Sequence, residues 1–342
     1  MAGIGVVLNP KSRRNLRDPA AAGRLARRLG DHGVLRSAGS IEELHRIAED
    51  FRRMDIDVLA ISGGDGTGHV TLTGFLDVYR GAMVPHVALL RGGTMNTVAN
   101  SIGVRRGGPE GLLARLVRAY ARRAVQPLAG VERRVMQVRP EGGPSQYGFL
   151  FGTGVVRGFL AEYYRDGAGS PWVAARTLAR GIGSAVMGGE TIRRMAATFR
   201  GSVVLEDGTT WPERDYLAIA AGTIADIGLR FRPFHRFAER DGAFHLLGIH
   251  ASPLGFVAEL PRIQRCRPMR AGKAYDALSA RAALSSASGR IEYMIDGDLH
   301  VAETTRLEIA IGPKVHLLVD RHTREPTGQI RPASLASAGS SP

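Results

Sequence analysis

The stretch Asp57-Val58-Leu59-Ala60-Ile61-Ser62-Gly63-Gly64-Asp65-Gly66-Thr67 decides the fold of this chain. Its first half, Asp57 to Ser62, is a short apolar run and reads as a buried β-strand. The glycine turn that follows therefore lies at the carboxyl end of a strand, where open α/β sheets bind ligands. Gly63, Gly64 and Gly66 let backbone amides approach a polyphosphate, Thr67 can donate its hydroxyl, and the start of a following helix favours negative charge. Asp65 is the one ionisable group in the turn. Beside phosphate its carboxylate is repelled unless it holds a metal ion or takes a proton from an attacking hydroxyl, two roles that acids play in phosphoryl transfer.

Outward from this turn, short apolar strands alternate with helices from the N-terminus to about Val125, the pattern of βαβ units and a mostly parallel sheet. Gly3 to Leu8 reads as the first strand, closed by the turn Asn9-Pro10-Lys11-Ser12. Asp18-Pro19 predicts the cap of a helix ending at Gly30. Ser40 with Glu43 predicts a capping box before a helix that buries Leu44, Ile47, Ala48 and Phe51. Val84 to Leu90 is a further strand, ending in Arg91-Gly92-Gly93-Thr94-Met95-Asn96, and a helical stretch covers Leu112 to Arg123. Three polar turns with amide, hydroxyl and ammonium donors thus fall along one edge of one sheet.

The pattern then changes. Alternating or short apolar runs at 134–138, 147–151, 201–205, 216–220, 243–250, 290–295 and 306–311 predict a β-rich second domain, interrupted by a helical insertion near 172–198. The expected organisation is an α/β domain over 1–127, a β-rich domain over 128–320 and a disordered tail over 321–342, rich in Pro, Ser, Gly and Ala.

With 342 residues, 44% hydrophobic and 23% charged, the chain can bury a core without disulfides, which excludes a largely disordered or collagen-like protein. The net charge of +14 is nearly all arginine, since the only lysines are Lys11, Lys273 and Lys314. Such a surface attracts anions: a phosphorylated substrate or an anionic membrane surface. Nucleic acid is not expected, because net charge alone supports it, without an aromatic platform or a recognised motif. The lone Cys266 forbids an intramolecular disulfide and fits a reducing compartment, and no run reaches the ~20 apolar residues of a membrane span. The expected location is cytoplasmic. Nothing in the pattern bears on oligomeric state.

Ile295-Asp296-Gly297-Asp298 offers two more carboxylates at the end of a strand, although the Asp-Gly pair by itself also suits a hairpin turn. His86, His245, His250 and His316 mostly alternate with apolar residues and belong to no spaced metal motif, so they read as structural; Trp172 and Trp211 read as packing aromatics. Neither a Gly-x-Ser-x-Gly elbow nor a Walker A string is present.

An Asn-Pro turn after the first strand, then GGDGT, then GGTMN, then a late DGD resembles the diacylglycerol kinase catalytic-domain family of lipid kinases, over about residues 3 to 320. That family is related to sphingosine kinases and more distantly to NAD kinases. The resemblance implies an α/β, Rossmann-like nucleotide-binding domain followed by a β-sandwich, and an ATP- and Mg2+-dependent kinase that phosphorylates a hydroxyl of a membrane lipid at the inner membrane surface. An NAD kinase-like enzyme and a non-catalytic lipid or nucleotide sensor are the alternatives. Carried onto this sequence, the resemblance places Asn9, Pro10, Lys11, Ser12, Ser37, Gly63, Gly64, Gly66, Thr67, Gly93, Thr94 and Asn96 around ATP. It implies metal or catalytic work for Asp65 and a magnesium-linked turn at Asp241. Asp298 stands where the family usually carries a glutamate that resembles a general base.

Overall fold

The computed structural model describes residues 3–165, 170–187, 189, 195–319 and 331–332. The chain forms two compact units, one drawn from Met1–Gly93, Ile102–Arg133 and Lys314–Pro342, the other from Thr94–Ser101 and Arg134–Pro313. The junction expected at 127/128 thus lies at 133/134, and each unit takes a further segment from beyond it.

In the first unit, β1 (Ile4–Leu8), β2 (Gly33–Ser37), β3 (Val58–Ser62) and β4 (His86–Leu89) are parallel in the order β2-β1-β3-β4. Every residue of β1 and β3 is buried. Continuous apolar runs of this kind belong to strands covered on both faces, and helices supply the two covers. On one face, α2 (Ala21–Leu29) and α6 (Pro109–Ala121) pack Leu25, Leu29, Leu112 and Leu113 onto Ile4, Val6, Val58 and Ala60. On the other are α3 (Ile41–Arg53) and α4 (Asp65–Tyr79), whose Phe51 and Phe75 rings meet edge to face at 5.9 Å. Gly5 of β1 accommodates this second layer, because a Cβ there would lie 2.2 Å from the Phe51 ring.

The predicted capping box forms in modified shape. Ser40 Oγ accepts from Glu43 N at 3.2 Å, while the Glu43 carboxylate reaches one residue further back and accepts from Gly39 N at 2.6 Å. The four apolar positions predicted for this helix are all buried. Asp18 does not cap: a short α1 (Arg13–Arg17) precedes it, α2 starts from Ala20, and the Asp18 carboxylate pairs with Arg24 instead.

The second unit contains an antiparallel sheet in the order β12-β11-β10-β7-β14-β15: β7 (Leu150–Thr153), β10 (Ala218–Gly222), β11 (Phe244–Ile249), β12 (Ala274–Ser279), β14 (Ile291–Ile295) and β15 (Asp298–Ala302). Opposite it, β13 (Arg281–Ser286) pairs antiparallel with β8 (Phe199–Leu205) and with β16 (Arg306–Leu318), and β8 pairs with β9 (Thr210–Tyr216). Their inner faces share one core that includes Phe151, Val203, Trp211, Ile219, Phe244, Leu284, Tyr293 and Ile309, the layered packing of a β-sandwich. Two long strands cross the unit boundaries: β5 (Ala129–Pro140), which also pairs with β6 (Gln146–Gly148), and β16.

Within the predicted insertion, α8 (Pro171–Met187) packs against α7 (Val155–Arg165), while 188 and 190–194 lie outside the described residues. Trp211 is a packing aromatic, 4% exposed. Trp172 is not: it lies in the first turn of α8 and is 77% exposed, two residues and so more than half a turn around the helix from Ala174, which packs with Tyr163 and Phe159. Of the tail 321–342, only Arg331–Pro332 is described, paired with Ala129 and Gly130; the rest lies outside the described residues.

Candidate active site

In the order β2-β1-β3-β4 the chain leaves β1 toward one neighbour and returns on its other side, so the carboxyl ends of β1 and β3 flank a topological switch point. All four strands are parallel, and their terminal turns therefore share one edge. After β1, Asn9 Oδ1 accepts from Lys11 N at 2.8 Å, and Ser12 Oγ caps α1 by accepting from Asn15 N at 3.3 Å. Lys11 Nζ donates to Gly39 O at 2.7 Å, tying this turn to the loop after β2, where Ser37 is exposed.

The turns after β3 and β4 meet backbone to backbone. Gly92 N donates to Gly63 O at 2.8 Å, and Cβ atoms at Gly92 and Gly64 would lie 3.0 Å from Gly63 and from Gly93 Cα respectively. A Cβ at Gly63 would lie 2.3 Å from Thr67 Cβ, so this glycine lets the turn close on its own helix. Gly64 is the N-cap of α4 and brings no side-chain cap, and Asp65, Gly66 and Thr67 form the half-exposed first helical turn. Backbone amides at such a helix start constitute an anion site.

Arg91 belongs to this edge and was not among the residues expected there. Arg91 has φ 49° and its Nη1 donates to Val104 O at 3.1 Å. Burial and the nearby Arg106 lower the Arg91 pKa from its ordinary value, and Asp65 opposes that shift. A cation beside the Asp65 turn adds to its attraction for anions. The signal available in the sequence was an arginine directly before the paired glycines Gly92 and Gly93.

Gly93 belongs to the first unit, and Thr94 and Asn96 belong to the second. There Asn96, at φ 48°, precedes α5 (Thr97–Ser101), with its carbonyl accepting from Asn100 N at 2.8 Å.

Elsewhere in the second unit, Asp296 and Gly297 form the two-residue turn of the β14–β15 hairpin, at φ 44° and 92°, a primed-turn geometry. Asp296 is buried and accepts from Phe149 N at 3.0 Å and Leu150 N at 2.8 Å, so its carboxylate anchors β7. Asp298 pairs with Ile295, and the alternation of the strands puts it on the same sheet face as Ile295, Tyr293 and His300, the inner face of the sandwich. Asp241 is exposed and accepts from Arg134 Nε at 3.1 Å.

Residues 3–126 match the family model described as diacylglycerol kinase catalytic domain, a segment holding the first-unit turns described above together with Thr94 and Asn96. Over this segment the chain is similar to the diacylglycerol kinase catalytic-domain family. Among solved structures, a diacylglycerol kinase from Bacillus anthracis is similar at 12% identity and a TM-score of 0.57, and a candidate diacylglycerol kinase from the same organism at 13% and 0.62. In both comparisons 93% of this chain and 97% of the other are covered, so the two-part architecture is shared along nearly the whole length. The search of curated proteins gives no match.

Proposed function

We propose that this chain is an ATP-dependent lipid kinase that transfers the γ-phosphate to a hydroxyl of a membrane lipid, diacylglycerol being the foremost substrate. The observation that carries this reading is the turn Gly63–Thr67, set at the carboxyl end of β3 and continuing into the unblocked start of α4, within the segment that matches the kinase family. The residues fit a nucleotide triphosphate: glycine backbones approach as closely as a Cβ would forbid, and Arg91 adds positive charge. Asp65 is the residue we assign to magnesium, which when bound there would supply positive charge against the transferring phosphoryl group.

In this reading the amides of the α4 start and Arg91 orient the phosphates, and Asp298 accepts the proton of the lipid hydroxyl. Peripheral membrane attachment is part of the proposal. Support for it comes from α8, where Trp172 and Met187 are 77% and 82% exposed beside the exposed Arg176 and Arg180. No helix among the described residues is long and apolar enough to cross a membrane. The deciding experiment is transfer of label from γ-labelled ATP to a total-lipid extract, with identification of the product. Labelled phosphatidate is expected. Label on NAD, or no label on any lipid with ATP still bound, would refute the lipid-kinase reading.

A further inference from the structure

Apart from the turns above, one group of metal-ligating side chains converges among the described residues: His235, His245 and Asp276 each place a ligand atom within 4.8 Å of the others. The sheet builds this arrangement. His245 on β11 lies opposite Leu278 on β12, and Leu247 opposite Asp276, so His245 and Asp276 are diagonal neighbours on one face. β12 is the edge strand, and the loop 223–243 brings the His235 ring edge-on to His245, with centroids 4.9 Å apart.

His245 Nε2 is 3.1 Å from Asp276 Oδ1, and His235 Nε2 is 3.9 Å from Asp276 Oδ2. The His245 side chain is fully buried, yet Nε2 has no partner in hydrogen-bond alignment. A buried imidazole nitrogen left so is costly unless something else engages it. Imidazole and carboxylate side chains are both ligands that first-row divalent metals take.

We propose that His235, His245 and Asp276 form a binding site for a late first-row divalent cation, zinc foremost, with a fourth position open at the sheet edge. Two imidazoles and one carboxylate suit zinc, whereas magnesium asks for an octahedron of oxygens. Arg236 supports the carboxylate from outside, donating Nη1 to Asp276 Oδ1 and Nε to Glu239, each at 2.9 Å, which leaves Asp276 Oδ2 to the ion. Ligand separations must contract to about 3.4 Å, the edge of a tetrahedron with ~2.1 Å bonds. His235 and Asp276, the two side chains that reach the surface, supply that movement. The long 3.4 Å contact from Arg236 N to His245 Nδ1 is given up as the ring proton moves to Nδ1. The ion would clamp the loop 223–243 to the edge of the sandwich.

The test uses the full chain, stripped of metal with a chelator and titrated separately with Zn2+ and Co2+. Expected are one ion per chain, a Co2+ visible band of tetrahedral intensity, and a thermal midpoint raised by about 5 °C at a hundredfold excess of Zn2+ over its Kd. His235→Ala and Asp276→Ala should each weaken binding about tenfold or more, with His316→Ala as the unaffected control. If Asp276→Ala fails to fold, His235→Ala, a change in a surface loop, carries the mutational arm. Absence of the Co2+ band in the unmodified chain, or Zn2+ affinity unchanged in His235→Ala, overturns the site. None of these readouts depends on kinase activity.

Discussion

Replacing Gly64 by valine strikes the place where two ligand-edge turns touch. A Cβ at Gly64 would sit 3.0 Å from Gly93 Cα, tighter than ordinary contact, and backbone cannot swing aside as a side chain does. Valine then adds two methyl groups to that Cβ. Overpacking of this kind costs about 1–3 kcal/mol of stability. The turns relieve it by separating, at the expense of the 2.8 Å bond from Gly92 N to Gly63 O. If the displaced turn loses one charged hydrogen bond to phosphate, worth about 1.5–3 kcal/mol, ATP affinity falls about 10- to 150-fold. Gly68→Ala is the control. Its Cβ meets nothing within 4 Å inside α4, so it should gain up to about 1 kcal/mol of stability and leave ATP affinity alone. Calorimetric titration with Mg-ATP, alongside thermal denaturation, measures both quantities. Gly64→Val protein with wild-type ATP affinity and an unchanged midpoint would refute the argument that these glycines exist for close approach at a nucleotide site.

Asp65→Asn should lower phosphotransfer by about 100-fold or more with little change in midpoint, since charge is removed and size kept; near-normal turnover would end Asp65's role. Asp298→Asn should lower turnover with ATP affinity intact, and Asp298→Glu should keep or raise it; an Asn variant as active as wild type would reduce Asp298 to a hairpin residue. Asp296→Ala leaves the buried amides of Phe149 and Leu150 without their acceptor, so urea denaturation should show a loss of about 2–4 kcal/mol. Binding to anionic vesicles should fall with added salt, because arginine contacts are screened within a Debye length of about 8 Å at physiological ionic strength; salt-independent binding would argue against headgroup contacts.

The α/β half was legible because its cues are local. Buried parallel strands print unbroken apolar runs, Ser40 and Glu43 mark a helix start, and glycine turns sit where those runs stop. Asp18 misled because a helix cap depends on backbone geometry that one residue type does not determine, and its carboxylate found Arg24 instead. In the sandwich, β9 carries few apolar residues, and β12 and β15 are edge strands in which only Ser279 is fully buried, so their pattern is weak. The metal-ligating cluster was not legible, because His235, His245 and Asp276 converge only once β11 and β12 are paired, so no spacing in the chain announces them.

The way the first unit is assembled has a consequence for its biosynthesis. Val315, Leu317 and Leu318 are buried there, with Leu317 beside Val87 of β4, although the whole of the second unit is encoded between those two positions. On the ribosome, the parallel sheet must wait for nearly the entire polypeptide before its last strand arrives, whereas the sandwich segment 134–313 emerges unbroken. Closing so long an intervening loop is slow, and meanwhile the open flank of β4 is an unpaired strand edge available to other chains. Truncation after Pro313 would therefore leave the nucleotide-binding sheet permanently unfinished, and the shortest expressible form of that unit must either keep Lys314 to Val319 or receive them by circular permutation.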